Sequence, residues 1–457
     1  MCNHMWLVRP LTFLVLAIPL TLIWLLGEDK FAQIFWTLFV LRYARFLGHI
    51  AGSWLYRPSR MQVDPAFERR DVTVILPTID PNGPDFRPCI HSILSNRPAV
   101  LLVVTVGPRL LKECKAILQD MLPLSRSTRI GVSAIHKASK RRQVKHALDV
   151  VDTAITILAD DHVFWRSVNF IPSVLAPFED SRVGVVTTRK RVLRTTPGNW
   201  DWLSIVNFIA CSYLQRHNWQ LRASNAIDGG VFVVSGRTAI YRTCFLKHTN
   251  LLTHFCTEKF FFGQFGGDGL GPNDDNFLTR EALKEGWLIR FQDTDDATVE
   301  TTLGEWPKFR SQLLRWARTT FRSDPVMLRD YKFLHRYTWS FFMVYWAQMV
   351  NFALLWDTAM IVLLSLSKMS RVIDVIYFLI WIAWTKTVKL LPHFFRHPED
   401  FPLMICQVAF AYIHSFFKLW ALLTFWDCNW SGRNLDENNQ EQDGLTPAEP
   451  WIFINNV

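Results

Sequence analysis

Ala154-Ile155-Thr156-Ile157-Leu158-Ala159-Asp160-Asp161-His162 is the stretch on which the reading of this chain turns. Six apolar or β-branched residues in a row, stopped by charge, have the length and composition of a buried strand. The strand delivers two adjacent carboxylates at its end. Working outward, runs of the same kind stand at Val72–Leu76, Leu101–Val106, Ile130–Ile135 and Val183–Thr187, with helical patterns at Pro88–Ser95, Leu110–Leu122 and Arg142–Val150 between them. Strand–helix alternation predicts an α/β, Rossmann-like fold with a mostly parallel sheet covered by helices on both faces. Ligands of such sheets bind beyond the carboxyl ends of the strands, so the chemistry is sought there.

Pro77-Thr78-Ile79-Asp80 follows the first strand. Asp160 and Asp161 follow the fourth, and neighbouring acids repel unless a cation holds them. A hard divalent ion that also grips phosphate oxygens would do so; a solvated turn with an Asp helix cap is the alternative. A second acidic pair, Asn273-Asp274-Asp275, comes after the glycine-rich Gly263–Pro272 and before an apolar-periodic run. A carboxylate there can serve as a general base or simply as a helix N-cap. Lys137, Lys140, Arg141, Arg142 and Lys145 form one basic cluster, and Arg189, Lys190, Arg191 and Arg194 another. Either is a solvated face or the complement of a pyrophosphate at the ligand edge. Finally, helical spacing puts Gln312, Arg315 and Trp316 on one face, a set suited to a sugar stacked beside an anionic leaving group or to a basic helix on a membrane surface.

Of 457 residues, 50% are hydrophobic, 14% aromatic and 20% charged, which excludes a disordered, collagenous or small disulfide-stapled chain. The net charge of +10 suits an anionic leaflet, a phosphorylated substrate or nucleic acid. No helix-turn-helix, zinc-finger or RNP pattern accompanies the basic clusters, so nucleic acid is set aside. The eight cysteines show no CxxC pair and are expected to be thiols. Apolar residues concentrate at both ends. Leu11–Leu26 is uncharged with Arg9 and Trp6 outside it, and Phe31–Tyr56 resumes after only Gly27-Glu28-Asp29-Lys30 with no A-x-A site, which favours a retained anchor over a cleaved signal peptide. The second segment carries Arg42, Arg45 and His49 on one face and either spans or lies in the interface.

Three further candidate spans are Thr338–Ser367, Val372–Pro392 and Phe401–Trp426. Their internal charges, Asp357, Asp374, Lys386, Lys389 and Lys418, face a partner helix or polar conduit, or snorkel to headgroups. The expected organisation is membrane segments in 1–56, a soluble domain in 57–310, an amphipathic interface helix in 311–336, membrane helices in 337–430 and a polar, mobile tail in 431–457.

Asp160-Asp161, Asn273-Asp274-Asp275 and Gln312-x-x-Arg315-Trp316, in this order and followed by apolar helices, resemble the processive family 2 glycosyltransferases, among them cellulose, chitin and hyaluronan synthases. Lys418-Leu419-Trp420-Ala421-Leu422-Leu423-Thr424 and Trp430-Ser431-Gly432-Arg433 are most similar to the hyaluronan-synthase branch, and within it to fungal type 2 glycosyltransferases. The resemblance implies a glycosyltransferase-A-like domain facing the cytosol, transmembrane helices in the plasma membrane's lipid bilayer, a UDP-sugar donor, a growing glycan acceptor and Mg2+ or Mn2+. It implies that Pro77, Thr78 and Asp80 cradle the nucleoside, that Lys140 contacts phosphate, and that Asp161 with Asp160 holds the metal. It further implies that Asp275, with Asp274 beside it, is the acceptor base, and that Gln312, Arg315 and Trp316 meet the acceptor and pyrophosphate.

The chain departs from the family pattern in having Thr105 where the second strand usually ends in Asp, Asn273 where Thr or Gly is usual, and a contiguous acidic pair. Three full C-terminal crossings would also put Trp430–Arg433 on the wrong side, unless one segment stops short of crossing. A single-sugar lipid transferase, a transporter with a regulatory domain and a catalytically dead scaffold are the competing readings.

Overall fold

The β-branched runs become strands wherever both faces are covered. The protein is described by a computed structural model over residues 5–125, 127–248, 250–261, 263–267, 269–270, 273–368, 370–428 and 448–455. Its strands are β1 (Val72–Pro77), β2 (Val100–Val106), β3 (Arg129–Ile135), β4 (Ile155–Ala159), β5 (Val163–Trp165), β6 (Val183–Thr188), β7 (Lys190–Val192), β8 (Thr238–Arg242), β9 (Leu288–Gln292), β10 (Val299–Thr301) and β11 (Ile452–Phe453). The chain divides into two units: Pro58–Leu193, Val233–Thr302 and Cys428–Val457 form a sheet unit, and Met1–Arg57, Arg194–Phe232 and Leu303–Asp427 a helical one.

In the sheet unit the order is β11-β3-β2-β1-β4-β8-β6-β9, with β5-β10-β7 as a separate small sheet. β3, β2, β1 and β4 are parallel neighbours, as their helix-linked sequence requires. β8, however, lies antiparallel between β4 and β6, pairing Ala159 with Thr238 and Ile155 with Arg242. The expected mostly parallel sheet is therefore a mixed one. The physical reason is the chain's path: Arg194–Phe232 leaves for the helical unit, so no crossover helix returns it to the amino end of β4. It re-enters beside the carboxyl end instead.

The expected mobile tail is also corrected at its far end. β11 adds an antiparallel strand to the edge of β3, with Ile452 opposite Val132 and Phe453 opposite Gly131.

Among the described residues, the helical unit holds three helices long and apolar enough to cross a membrane, Leu7–Leu26, Val372–Phe394 and Pro398–Leu422, and a fourth candidate, Thr338–Val350 with Ala353–Leu366, bent by 90°. Lys30–Leu55 buries Gln33, Phe35, Tyr43, Phe46, His49 and Gly52, and Phe35, Tyr43 and Phe46 pack with Met360, Phe378 and Ile382. Asp357 and Lys386 are paired between helices. Asp357 lies 2.5 Å from Arg42 and 2.8 Å from Lys386. At the bend, where helix carbonyls lose their partners, the ammonium of Lys418 donates to Gln348 O and, at 2.9 Å, to Asn351 O.

Candidate active site

β1 runs out at Pro77, and the next residue, Thr78, ties the end of β1 to the end of β4. Its hydroxyl donates to Asp161 Oδ2 at 2.8 Å and accepts the Asp80 N–H at 3.2 Å. Its carbonyl is held by Gln143 Nε2 at 3.1 Å. Asp80 itself is exposed. Asp161 is buried, and its Oδ1 lies 3.0 Å from His162 Nδ1, so an imidazole in the Nδ1–H form donates to it.

Asp160 sits where β8 meets β4, its N–H donating to Arg237 O at 3.0 Å. Its carboxylate accepts from Lys140 Nζ at 2.7 Å, and the same ammonium stands 2.9 Å from Asp274 Oδ2. Burial works against the charge on Lys140, but the two carboxylates outweigh it and raise its pKa. Lys140 is the first residue of the helix Lys140–Leu148, and Asp274 opens the helix Asp274–Lys284 after Asn273, which adopts a left-handed φ of 66°. One side chain thus joins a strand end to two helix starts.

Asp275 is half-buried. Its Oδ2 accepts the Gly236 N–H at 3.3 Å and its Oδ1 accepts the Asn276 N–H at 2.8 Å. A Cβ at residue 236 would come within 3.1 Å of Lys140 Nζ and 3.6 Å of Asp274 Oδ2, so the backbone here passes close against the ammonium. Buried Lys190 donates to Thr187 Oγ1 at 2.7 Å; burial and the charge of Arg237 lower its pKa far below the usual lysine value, against the pull of Asp275.

The two basic clusters differ in use. Arg141 is buried and donates to Phe255 O at 2.6 Å and Glu258 Oε2 at 2.7 Å, while Arg280, on the Asp274 helix, takes the other oxygen of Glu258. The second cluster is largely consumed in internal pairs, correcting its reading as a pyrophosphate complement. Arg189 pairs with Asp293 and Asp295, and Arg191 stands 3.8 Å from Glu300. Within the helical unit, Arg194 forms a bidentate bond to Asp400 at 2.8 Å.

Two adjacent hard-oxygen donors, Asp160 and Asp161, fit a divalent ion that takes most of its ligands from a diphosphate. Among the described residues no three His, Cys, Asp or Glu side chains gather as an all-protein cage.

Gln312, Arg315 and Trp316 belong to the helical unit, half-buried on the helix Lys308–Leu328. The Trp316 indole stacks on Tyr213, centroids 5.4 Å apart at 24°, and meets Phe309 edge-on at 6.4 Å. On the same helix, Arg318 donates to Thr424 Oγ1 at 3.1 Å and pairs with Asp427 at 2.6 Å, pinning the end of the Lys418–Thr424 segment. Trp430–Arg433 lies outside the described residues.

Sequence reasoning passed over Tyr213, His162 and Gly236. Only His162, directly after the acidic pair, and Gly236, in Ser235-Gly236-Arg237 before a β-branched run, carried a local signal.

Residues 70–319 match the model of the glycosyltransferase-like family 2. A type 2 glycosyltransferase of Zymoseptoria tritici is 33% identical over 421 residues, covering 90% of this chain and 86% of its own. One from Gibberella zeae is 32% identical over 420 residues, covering 90% and 78%. An NDP-glycosyltransferase of Aspergillus luteorubrus is 28% identical over 280 residues, covering 59% and 64%. Among solved structures, a mannosyltransferase of Pyrobaculum calidifontis in complex with GDP-Man and Mn2+ is 14% identical, covers 85% of this chain and 98% of its own, and superposes with a TM-score of 0.49. Matched over more than half its length by the family and over nine-tenths by a relative that is one-third identical, the chain belongs to the glycosyltransferase-like family 2.

Proposed function

We propose that this chain is a membrane-embedded, inverting glycosyltransferase of the hyaluronan-synthase-like, processive kind. It transfers sugar from a UDP-sugar onto a growing extracellular or cell-wall polysaccharide and extrudes the product across the plasma membrane. The observation that carries the reading is Lys140, held between Asp160 at the end of β4 and Asp274 beside Asp275. It puts a cation for the diphosphate and a carboxylate for the acceptor on one continuous network. The relative named as an NDP-glycosyltransferase supports a nucleoside-diphosphate donor.

In this reading Pro77, Thr78 and Asp80 cradle the nucleoside. Asp275 takes the proton of the acceptor hydroxyl as its oxygen attacks the anomeric carbon, and the bond to the diphosphate breaks from the opposite face. Lys140 and Arg315 offset the charge that develops on the leaving diphosphate. Mg2+ or Mn2+ bound with the donor at Asp160 and Asp161 would supply further neutralisation of that charge. Gln312 orients the acceptor and Trp316 stacks on its sugar.

The described strands also support a topology. Val233–Thr302 and Cys428–Val457 both belong to the sheet unit, and β11 is hydrogen-bonded into it. An even number of crossings must therefore separate them. With Val372–Phe394 and Pro398–Leu422 each crossing once, the pair bent by 90° enters and returns on the same side, the cytosolic one where nucleotide sugars are made.

Membranes containing the full chain, given a panel of UDP-sugars, test the reading through metal-dependent release of UDP and a product that lengthens with time. Turnover of another nucleotide sugar with none of UDP-sugars would overturn the donor. A product one sugar long on a lipid would replace the polymer.

A further inference from the structure

The far end of the tail is bound more tightly than an acidic tail requires. Beyond its pairing with β3, Glu449 N–H donates to Ala134 O at 2.9 Å and Ile454 N–H to Ile130 O at 2.9 Å. The side chain of Asn455 accepts from Ile130 N at 2.8 Å and donates to Thr128 O at 2.8 Å. Ser133 Oγ donates to Glu449 O at 2.5 Å and lies 2.8 Å from His146 Nε2. Because the one hydroxyl proton goes to Glu449, the ring donates to Ser133 from Nε2–H.

Trp451 then lies flat on the same imidazole, centroids 5.2 Å apart and planes 9° from parallel, and the Arg129 guanidinium covers Phe453 at 3.7 Å. β3 is shaped to receive these rings. A Cβ at Gly131 would stand 3.0 Å from Phe453 Cε1 and 3.2 Å from Trp451 Cε3.

His146 belongs to the helix Lys140–Leu148, on which buried Arg141 holds Phe255 O and Glu258 and three further polar side chains make separate contacts. Lys140 bridges Asp160 and Asp274, Gln143 Nε2 donates to Thr78 O at 3.1 Å and Val104 O at 2.8 Å, and His146 meets β3 and the tail. Lys140 and His146 are six residues apart, roughly 9 Å along the axis. On this helix of 9 residues, the contacts of His146 with Ser133 and Trp451 hold the end opposite Lys140.

We infer that Glu449–Asn455 is a clamp on the donor site: Trp451 and His146 are positioning residues that act through the helix Lys140–Leu148 to keep Lys140 between its two carboxylates. The inference rests on the proposed role of Lys140 toward the diphosphate. The tail strand serves the site by closing the sheet edge at β3, which would otherwise present unpaired backbone groups.

The test uses the full-length protein in membranes, Trp451→Ala, Trp451→Phe, and a chain ending at residue 447 with or without a synthetic 448–457 peptide. Trp451→Ala and the truncation are expected to raise the KM for the nucleotide sugar roughly three- to tenfold, with kcat and the acceptor KM little changed. Trp451→Phe, which keeps a stacking face, and the added peptide are expected to restore it. Hydrogen exchange of amides 140–148 should quicken in Trp451→Ala. Unchanged exchange there overturns the clamp whatever the donor proves to be. So does an unchanged donor KM, or an equal loss in kcat and both KM values that Trp451→Phe does not rescue. Faster exchange in a chain that turns over no UDP-sugar supports the clamp and sinks the donor assignment alone.

Discussion

Trp316 and Tyr213 lie face to face, their ring centroids 5.4 Å apart and their planes 24° from parallel. One face of the indole is thereby backed by a phenol, which fixes the ring's orientation. Trp316→Ala is expected to raise the acceptor KM roughly three- to tenfold and shorten the product, with donor constants unmoved. Because Tyr213 acts through Trp316, adding Tyr213→Ala to Trp316→Ala should cost less than the sum of the single losses. Acceptor titrations of the four proteins give the answer; strict additivity would show that the stack does not position the indole.

Asp275→Asn is expected to lower turnover by roughly 10²–10⁴ while donor binding stays near normal, the cost of losing a general base. An amide oxygen can keep the bond from Gly236 or Asn276, so the helix start should hold. Single-turnover kinetics beside a donor isotherm make the separation. Near-normal synthesis would move the base to Asp274.

Lys140→Met should weaken donor affinity roughly 10–100-fold, the worth of a charge-assisted contact at about 1.4 kcal/mol per tenfold. The pH dependence has a definite sign. A lysine pKa raised by two carboxylates makes a contribution that is complete below the ordinary lysine value near ~10.4 and is lost only as pH rises through the higher folded value. Donor affinity should therefore show no Lys140 titration between about pH 6 and 9. A Lys140-dependent step inside that window would contradict the bridge.

Chelating divalent metal should abolish UDP release, and Mg2+ or Mn2+ should restore it. Asp161→Asn keeps an acceptor for the Thr78 hydroxyl but loses the charge, so the metal concentration for half-maximal rate should rise roughly tenfold or more. An unchanged metal titration would make the acidic pair structural.

In the helical unit, Asp357→Asn removes the carboxylate shared by Arg42 and Lys386 and leaves two cations facing one another among apolar helices. A loss of about 3–5 kcal/mol is expected. Thermal inactivation of the solubilised protein measures it, and Asp357→Asn inactivating at the temperature of the unchanged chain would show the triad to be dispensable.

Much of the candidate site was legible because the patterns that mark it are local. Asp160 and Asp161 end an apolar run, Asp274 and Asp275 begin a helix after glycines, and Gln312, Arg315 and Trp316 share a helical face. Each pattern is a matter of a few residues and of periods of two or 3.6. Tyr213 was not legible, since its meaning depends on what lies opposite it across a long stretch of chain. The second basic cluster misled for the same reason: Arg189 and Arg191 look solvent-directed until Asp293, Asp295 and Glu300 are found beside them.

By itself the sequence determined the strand–helix alternation, the apolar helices at both ends and the order of the acidic and QxxRW motifs, because short-range hydrophobic patterning dictates which face each segment buries. Only the tertiary structure decided that β8 runs antiparallel, that Lys140 bridges Asp160 and Asp274, that the helix between residues 350 and 353 breaks over Lys418, and that the tail returns to β3. These are pairings between residues far apart in the chain. No local propensity encodes them, and they are settled only when buried charges and open strand edges must each find a partner.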